Sequence, residues 1–428
     1  MSDFDLGIDF LLSQSGQSLF AIFWYTIIFE VPRYGLAFVA VALAPAVSSL
    51  WQRSEPAVEP PRGVPTRVSV VVVGHSEAES LERCVRSLRE QSATDLEIVV
   101  VSDGSTDRMA AVAASLVRQK LVNVALAPGL RGGKSSGANL AIGACTGDII
   151  INVDCDCSYD RFAIQNMLRR FDDPSVGAVC GDLVPRNGDS SIIAHFQEIE
   201  YLSTLSVGKR IAAAMDQVIC VSGAFGAFRR EALDSISAFD TGGGEDLDVT
   251  LRLREKGWRI DFAEDSVCYT DVPASLWQLT RQRFRWERDA VWLRFRKHGR
   301  SINPKSSRFR LAEAFHQWEY LTFNVAGTLI FPAYVVWLYS TYGSFATATL
   351  IAMQMGLFAM EVVMLAIAAY VTQRPVFMRH LPYLLGYSLL SSYVMRFVRL
   401  AAYVEEWFLA GSRRDNYTPL KVRTVRPW

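Results

Sequence analysis

The stretch Ile149-Ile150-Ile151-Asn152-Val153-Asp154-Cys155-Asp156 decides the fold. Its run of β-branched apolar residues is the pattern of a strand buried on both faces of a parallel sheet. It ends in two carboxylates one residue apart, which share a face on extended backbone. Open α/β sheets bind ligands beyond the carboxyl ends of their strands. Two hard oxygen donors at such an end suit Mg²⁺ or Mn²⁺. A strand-end Asp that simply caps the next loop is the competing reading, so the surrounding chain has to decide.

Upstream, Val68–Val73 is a second buried strand, followed by a helix over Glu79–Gln91 with Leu81, Val85 and Leu88 at apolar spacing. Leu96–Val101 is the next strand and ends in Ser102-Asp103-Gly104-Ser105-Thr106-Asp107. A helix over Met109–Gln119, a strand over Val122–Leu126 and a helix over Ser135–Ala144 lead back to the Asp154 strand. This alternation predicts an α/β fold with a doubly wound, mostly parallel sheet and a nucleotide site along one edge. Gly129-Leu130-Arg131-Gly132-Gly133-Lys134-Ser135 imitates a phosphate-binding P-loop between strand and helix. That motif needs four residues between its first Gly and Gly-Lys. Only three follow Gly129, and Pro128 stands one position earlier. An NTPase is disfavoured, while Lys134 stays available as a point charge for a phosphate.

Downstream come a helix over Phe162–Phe171, a strand over Val176–Cys180 and a long amphipathic helix over Ser191–Ala214 carrying Gln197, Glu198, Glu200 and Tyr201. The small-residue stretch from Ser222-Gly223 to Arg230 would let backbone approach a ligand closely. Gly242-Gly243-Gly244 precedes Glu245-Asp246-Leu247-Asp248 at the start of a helix over Val249–Lys256, where Asp246 suits an N-cap as well as a chemical role. Leu279–Trp292 is dense in arginine and aromatics, and basic residues continue to Arg310.

The ends of the chain differ from this polar block. Half of the 428 residues are hydrophobic, and 44 basic residues balance 44 acidic ones, so nothing in the balance argues for nucleic acid. Mean hydropathy is +0.16. The apolar excess lies over Leu19–Val47 and over about 318–340, 345–371 and 381–411, the layout of a membrane protein carrying one polar domain. Glu30 and Arg33, one helical turn apart, are placed to pair, with a span nearer 34–51. The segment before it is acidic, whereas Arg53, Arg62 and Arg67 follow, which puts the polar block in the cytoplasm of a multi-pass plasma (inner) membrane protein. Four prolines between Glu55 and Pro65 mark a linker. The third C-terminal stretch contains Arg396, Arg399, Glu405 and Glu406, and sequence leaves open whether it crosses. Seven cysteines without framework spacing fit a reducing compartment, and Cys155-x-Cys157 lacks the further ligands of a zinc set.

Four motifs in order, Asp103-Gly104-Ser105, Asp154-Cys155-Asp156, Glu245-Asp246 and Gln282-x-x-Arg285-Trp286, resemble those of the processive inverting membrane glycosyltransferases: the hyaluronan, chitin, cellulose and poly-N-acetylglucosamine synthases. The resemblance covers residues 67–300 by motif and the flanking spans by layout. It implies a polar N-terminal tail (1–18), a membrane segment (19–52), a Pro-rich linker (53–66) and a cytoplasmic glycosyltransferase domain (67–270). Interfacial helices (271–314), two or three membrane spans (315–411) and a basic tail (412–428) follow. It also implies a UDP-sugar donor, UDP-N-acetylglucosamine or UDP-glucose, and a polysaccharide acceptor exported across the lipid bilayer, with room for a periplasmic or outer-membrane export partner. Asp154 and Asp156 would hold Mg²⁺ or Mn²⁺, and Asp246 would be the base. Gly74, Glu77, Asp103, Lys134, Asp154 and Arg285 would face the donor. Gln282, Trp286, Ser222 and Gly223 would face the acceptor. Two departures stand out: Gly74-His75-Ser76-Glu77 where the family commonly has Pro and an Asn-Glu pair, and Gly244 where many members have Thr. A single-sugar transferase acting on a polyprenyl phosphate shares the Asp motifs but gives no reason for Gln282-x-x-Arg285-Trp286. A non-catalytic nucleotide-sugar binder has no need of Asp246.

Overall fold

The computed structural model of the protein describes residues 3–32, 67–240, 242–306, 309 and 311–414. Eight strands form one sheet: β1 (Val68–Gly74), β2 (Leu96–Ser102), β3 (Val124–Leu126), β4 (Ile149–Asp154), β5 (Ser158–Tyr159), β6 (Val176–Pro185), β7 (Phe225–Arg229) and β8 (Arg259–Thr270). Their spatial order is β3-β2-β1-β4-β7-β6-β8-β5. The β1–β2, β1–β4, β2–β3 and β6–β8 pairings are parallel. The expected parallel half is therefore present, and β7 is inserted antiparallel between β4 and β6.

Side-chain alternation explains why β1, β2 and β4 are predominantly apolar on both faces. Val70, Val72, Ile98, Val100 and Ile151 face one core with the helices Ala78–Arg89 and Met109–Arg118. Val71, Val73, Val99, Val101 and Ile150 face a second core under the helix Lys134–Ala144. With both faces covered, both sets of positions are mainly apolar, and the buried Ser69 and Asn152 are hydrogen-bonded. Register then assembles an edge. Val73 pairs with Val101 on one side and Asp154 on the other, so the segments following β1, β2 and β4 emerge together. Because β7 runs the opposite way, its amino end meets the same edge: Phe225 lies opposite Val153, and Asp154 N–H donates to Ala224 O at 3.3 Å.

The helix expected from Ser191 runs through Ile192–Glu200, Tyr201–Val207 and Gly208–Ala214. Ser191 caps it by accepting from Ala194 N–H. The helix with Glu245-Asp246 starts earlier than expected, as Glu245–Glu255, and its cap is Gly244 in the left-handed region. Asp246 is therefore not the N-cap. It sits in the first turn, where the helix dipole favours negative charge. All seven cysteines are free, and Cys155 and Cys157 are buried.

Among the described residues, two helices, Glu313–Tyr342 and Phe345–Thr372, are long and apolar enough to cross a bilayer. Against them pack Ile22, Tyr25 and Phe29 of the N-terminal segment. The polar tail is itself helical over Asp3–Leu12, and Phe10 stacks on Phe345 with ring centroids 4.6 Å apart. Glu30 pairs with Arg396 at 2.5 Å, a partner more than 360 residues away that local spacing does not suggest. Arg33, the proposed span near 34–51, the linker at 53–66 and nearly all of the basic tail lie outside the described residues. The third apolar stretch is helical in consecutive pieces over 384–409, and its segment Met395–Val404 packs along the helix Leu276–Val291. Its arginines are paired, Arg396 with Glu30 and Arg399 with Glu287 at 3.2 Å.

Candidate active site

At the carboxyl end of β4, Asp154 and Asp156 are half-buried. Lys134 Nζ lies 2.6 Å from Asp154 Oδ1, 3.4 Å from Glu245 Oε1 and 3.2 Å from Gly223 O. Burial opposes the lysine charge, but Asp154, Glu245 and Asp246 outweigh it and hold the ammonium above the usual lysine range. One cation thus links the strand-end pair to the Glu245-Asp246 helix. The Asp156 carboxylate meets only the Cys157 thiol, at 3.4 Å, and among the described residues no basic side chain pairs with it. Burial, and then the neighbouring Asp154, push its carboxyl upward. Burial likewise pushes Glu77 up to about 7, with Asp154 and Asp156 adding to it. The edge carries more negative charge than its lysine neutralises.

Gly74 occupies a close approach. A Cβ there would stand 2.5 Å from Cys155 Sγ and 2.7 Å from Glu77 Oε2, so a side chain at this turn would push into the acidic cluster. Asp103, expected at the nucleoside, has both oxygens engaged by backbone: Oδ1 accepts from Gly132 N–H and Oδ2 from Gly133 N–H, each at 2.7 Å. Gly104, at φ +56°, lies against the backbone of Leu130 and Arg131, where no Cβ fits. The Asp103-Gly104 pair therefore clasps the loop that delivers Lys134. In the false P-loop, Gly133 takes a positive φ of 91° and Gly132 lies close against Ser136.

Gly223 lies under the other side of the site, where a Cβ would be 2.9 Å from Lys134 Nζ and 3.3 Å from Glu245 Oε1. Its carbonyl also accepts from Asn152 Nδ2 at 3.0 Å. Ser222 Oγ accepts from Lys209 Nζ at 2.6 Å. Gly243 backs onto Asp289 of the helix Leu276–Val291, leaving no room for a Cβ. That helix presents Gln282, Arg285 and Trp286. Trp286 is 42 % exposed, so it is available to a ligand, and the Arg283 guanidinium stands 4.2 Å from the centre of its ring. Arg283 is buried and pairs with Glu200 at 2.7 Å. Gln282 Oε1 accepts from Arg283 Nη1 at 3.3 Å.

Lys134, Asp154, Gly223, Glu245 and Asp246 are thus one cluster, with Gly74, Glu77 and Asp156 beside it. Sequence reading misses Glu245 as the second anion on Lys134, Lys209 on Ser222, and the Glu200–Arg283 pair that braces Trp286. Glu245 stands inside one of the four motifs. The other two pairings join distant positions and leave no local signal.

Residues 65–288, just over half of the chain, match the model of the family described as glycosyltransferase-like family 2. The chain is 29 % identical over 222 residues to a poly-β-1,6-N-acetyl-D-glucosamine synthase of Staphylococcus aureus, covering 51 % of this chain and 53 % of that protein. It is 29 % identical over 234 residues to an N-acetylglucosaminyltransferase of Rhizobium meliloti, covering 52 % and 55 % respectively. The matched region therefore spans about half the length of these relatives. In fold, the chain is similar to a mannosyltransferase of Pyrobaculum calidifontis solved with GDP-Man and Mn²⁺, at a TM-score of 0.54 and 22 % identity, covering 88 % of this chain and 99 % of that one. With its sheet edge of clustered acids and a family match that runs through both carboxylate motifs to the helix bearing Trp286, the chain belongs to glycosyltransferase-like family 2 and is a glycosyltransferase.

Proposed function

We propose that this enzyme is a membrane-embedded, processive, inverting polymerase that extends a β-linked polysaccharide from a UDP-sugar, UDP-N-acetylglucosamine before UDP-glucose, and exports the product. The observation that carries this is the join between two regions. An acidic edge short of positive charge meets, through Gly243 and Asp289, a helix that displays an exposed tryptophan and leads into two helices of membrane-spanning length. The relatives named for N-acetylglucosamine transfer and polymerisation support the choice of sugar.

Asp154 and Asp156 fit a divalent cation: they are hard oxygen donors at a strand end, and among the described residues no basic side chain pairs with the Asp156 carboxylate. Mg²⁺ or Mn²⁺ held there supplies charge neutralisation for a departing diphosphate. The residues themselves do the rest. Lys134, held on Asp154 and Glu245, is a point charge for the same phosphates, and Arg285 offers a planar fork for two oxygens. Glu77, Gly74 and Asp103 shape the nucleotide side, Asp103 by holding the Lys134 loop in place. Inversion requires a base on the face opposite the leaving group, and Asp246, in the first turn of its helix, takes the proton from the acceptor hydroxyl. Trp286 stacks under the acceptor's terminal sugar, with Gln282, Ser222 and Gly223 lining that subsite. A polar polymer cannot dissolve in hydrocarbon, so its export needs a protein-lined path, and the spans that follow the acceptor helix in the chain would supply one.

The test is UDP release by purified protein with Mg²⁺ or Mn²⁺ across a panel of UDP-sugars, with products sized on a gel and Asp246→Asn as control. A long polymer from one donor is the expected result. Release of UDP with a single sugar added would refute processivity and indicate a transferase acting on a lipid acceptor.

A further inference from the structure

Away from the acidic edge, where the membrane helices return to the catalytic domain, His195, Glu198 and His380 converge. Each offers one ligand atom, and these atoms lie within 4.8 Å of one another. His195 and Glu198 are one turn apart on the helix Ile192–Glu200, whereas His380 closes the short helix Phe377–His380 that follows the Phe345–Thr372 span. His195 Nε2 and His380 Nδ1 face each other at 3.0 Å, and His195 Nδ1 lies 3.5 Å from Glu198 Oε2. Both imidazoles are buried, at 5 % and 3 % exposure.

The surroundings hold this group in place. The Tyr383 ring packs on His195 with centroids 3.9 Å apart. Glu198 is pressed against Gly188, where no Cβ fits. Its two oxygens also accept from Arg379 at 3.1 and 3.2 Å, and Arg379 in turn pairs with Asp189. Two donors on a tetrahedral ion with bonds of about 2.0–2.1 Å stand roughly 3.3 Å apart. The gap between His195 Nε2 and His380 Nδ1 is within a few tenths of an ångström of that, and Glu198, on the Nδ1 side of His195, would turn toward the same position to complete the set. Two imidazoles and one carboxylate, with a fourth position left to water, are the donor set of an open zinc site, and Arg379 and Asp189 form an outer ring that would orient the carboxylate.

We propose that His195, Glu198 and His380 bind one divalent transition-metal ion of the zinc class, separate from the Asp154–Asp156 pair, and that the ion pins the segment after the second apolar helix to the catalytic domain. The imidazole-rich set selects against Mg²⁺, which prefers all-oxygen surroundings. The pinned helix also carries Glu200, the partner of Arg283 beneath Trp286. The ion would therefore tie the membrane hairpin to the acceptor side of the site.

The experiment uses full-length, detergent-solubilised protein without a polyhistidine tag, stripped with chelator and titrated with Co²⁺, followed by Zn²⁺ competition. The expected result is one equivalent of Co²⁺ giving the intense visible bands of a four-coordinate site, displaced by Zn²⁺. Asp154→Asn with Asp156→Asn should retain these bands, and His380→Gln and His195→Gln should each abolish them while eluting as folded protein in size exclusion. Absence of the bands in the wild type, or their survival in both histidine variants, overturns the proposal and leaves a hydrogen-bonded chain of side chains. If a histidine variant fails to fold, Glu198→Gln decides: bands of unchanged affinity overturn the site, and affinity weakened tenfold or more supports it. None of these readouts depends on sugar transfer, so failure here is distinct from failure of the polymerase reading.

Discussion

The carboxyl end of β4 and the helix Leu276–Val291 meet at the same site and handle charge in opposite ways. At the strand end, Glu77, Asp154 and Asp156 gather with Glu245 and Asp246 beside Lys134, and among the described residues no basic side chain pairs with the Asp156 carboxylate, Arg186 reaching only its backbone carbonyl at 3.0 Å. On the helix, arginines are matched: Arg283 by Glu200, Arg288 by Asp289, and Glu287 receives Arg399 from the last helical stretch. Unbalanced charge lowers stability and is kept where a ligand will restore the balance. Balanced, buried charge fixes side chains in one place. The strand end is poised, and the helix is built.

The difference can be broken first at its most reactive point. Asp246→Asn is expected to lower turnover by about 10²–10⁴-fold while leaving UDP-sugar affinity nearly intact, measured by UDP release and by calorimetric titration. Asp156→Asn should cut metal-supported turnover by about 10²-fold or more. Because the substitution also removes from an acidic cluster a negative charge with which no basic side chain among the described residues pairs, the thermal midpoint without divalent ions should hold or rise. A fall in that midpoint would mean that Asp156 is part of the structural framework. On the balanced side the sign reverses. Arg283→Met strands Glu200 and removes the cation from Trp286, which is expected to cost about 1–3 kcal/mol of stability and to raise the acceptor KM more than it lowers kcat; denaturant titration and acceptor saturation curves read the two effects.

The smallest effect sharpens the comparison where the regions join. His298, just past the basic helix, lies 2.9 Å from Asp248 and 2.7 Å from Glu255 of the acidic helix. Burial opposes its charge, but these carboxylates outweigh burial and raise it above its ordinary value of 6.5. A histidine that holds its proton more tightly when folded stabilises the fold fully below 6.5. That contribution is lost as pH rises through the raised folded value. Asp248 behaves oppositely: burial raises it, but His298, Lys297 and Arg252 hold it well below 3.8, so its contribution is present at neutral pH and lost in acid. The thermal midpoint should therefore decline by a few degrees above pH 6.5, and His298→Gln should flatten that decline.

Much of the fold is legible in the order of the residues. Largely apolar runs mark β1, β2 and β4, since a strand covered on both faces tolerates a polar residue only where it is hydrogen-bonded, as Ser69 and Asn152 are. The helices between them show their apolar spacing, and Asp103, Asp154 and Asp246 stand out as carboxylates at element ends. β7 is less clear, because Phe225–Arg229 is short and its antiparallel course is set by the strands on either side. β8 escapes a reading by pattern: Arg259–Thr270 mixes charged with apolar residues, as suits a strand with positions alternately exposed and buried.

The sequence alone determined the α/β alternation, the strand-end carboxylates, the apolar helices and the family of the chain, because these depend on local periodicity and short motifs. Tertiary structure decided which charges meet. Lys134 on Asp154 and Glu245, Arg283 on Glu200, Arg396 on Glu30 and His380 on His195 join residues from 83 to 366 positions apart, apart from the nearer Lys134–Asp154 pair. Their energies depend on separation in space and on burial, and neither quantity is written in the order of the residues.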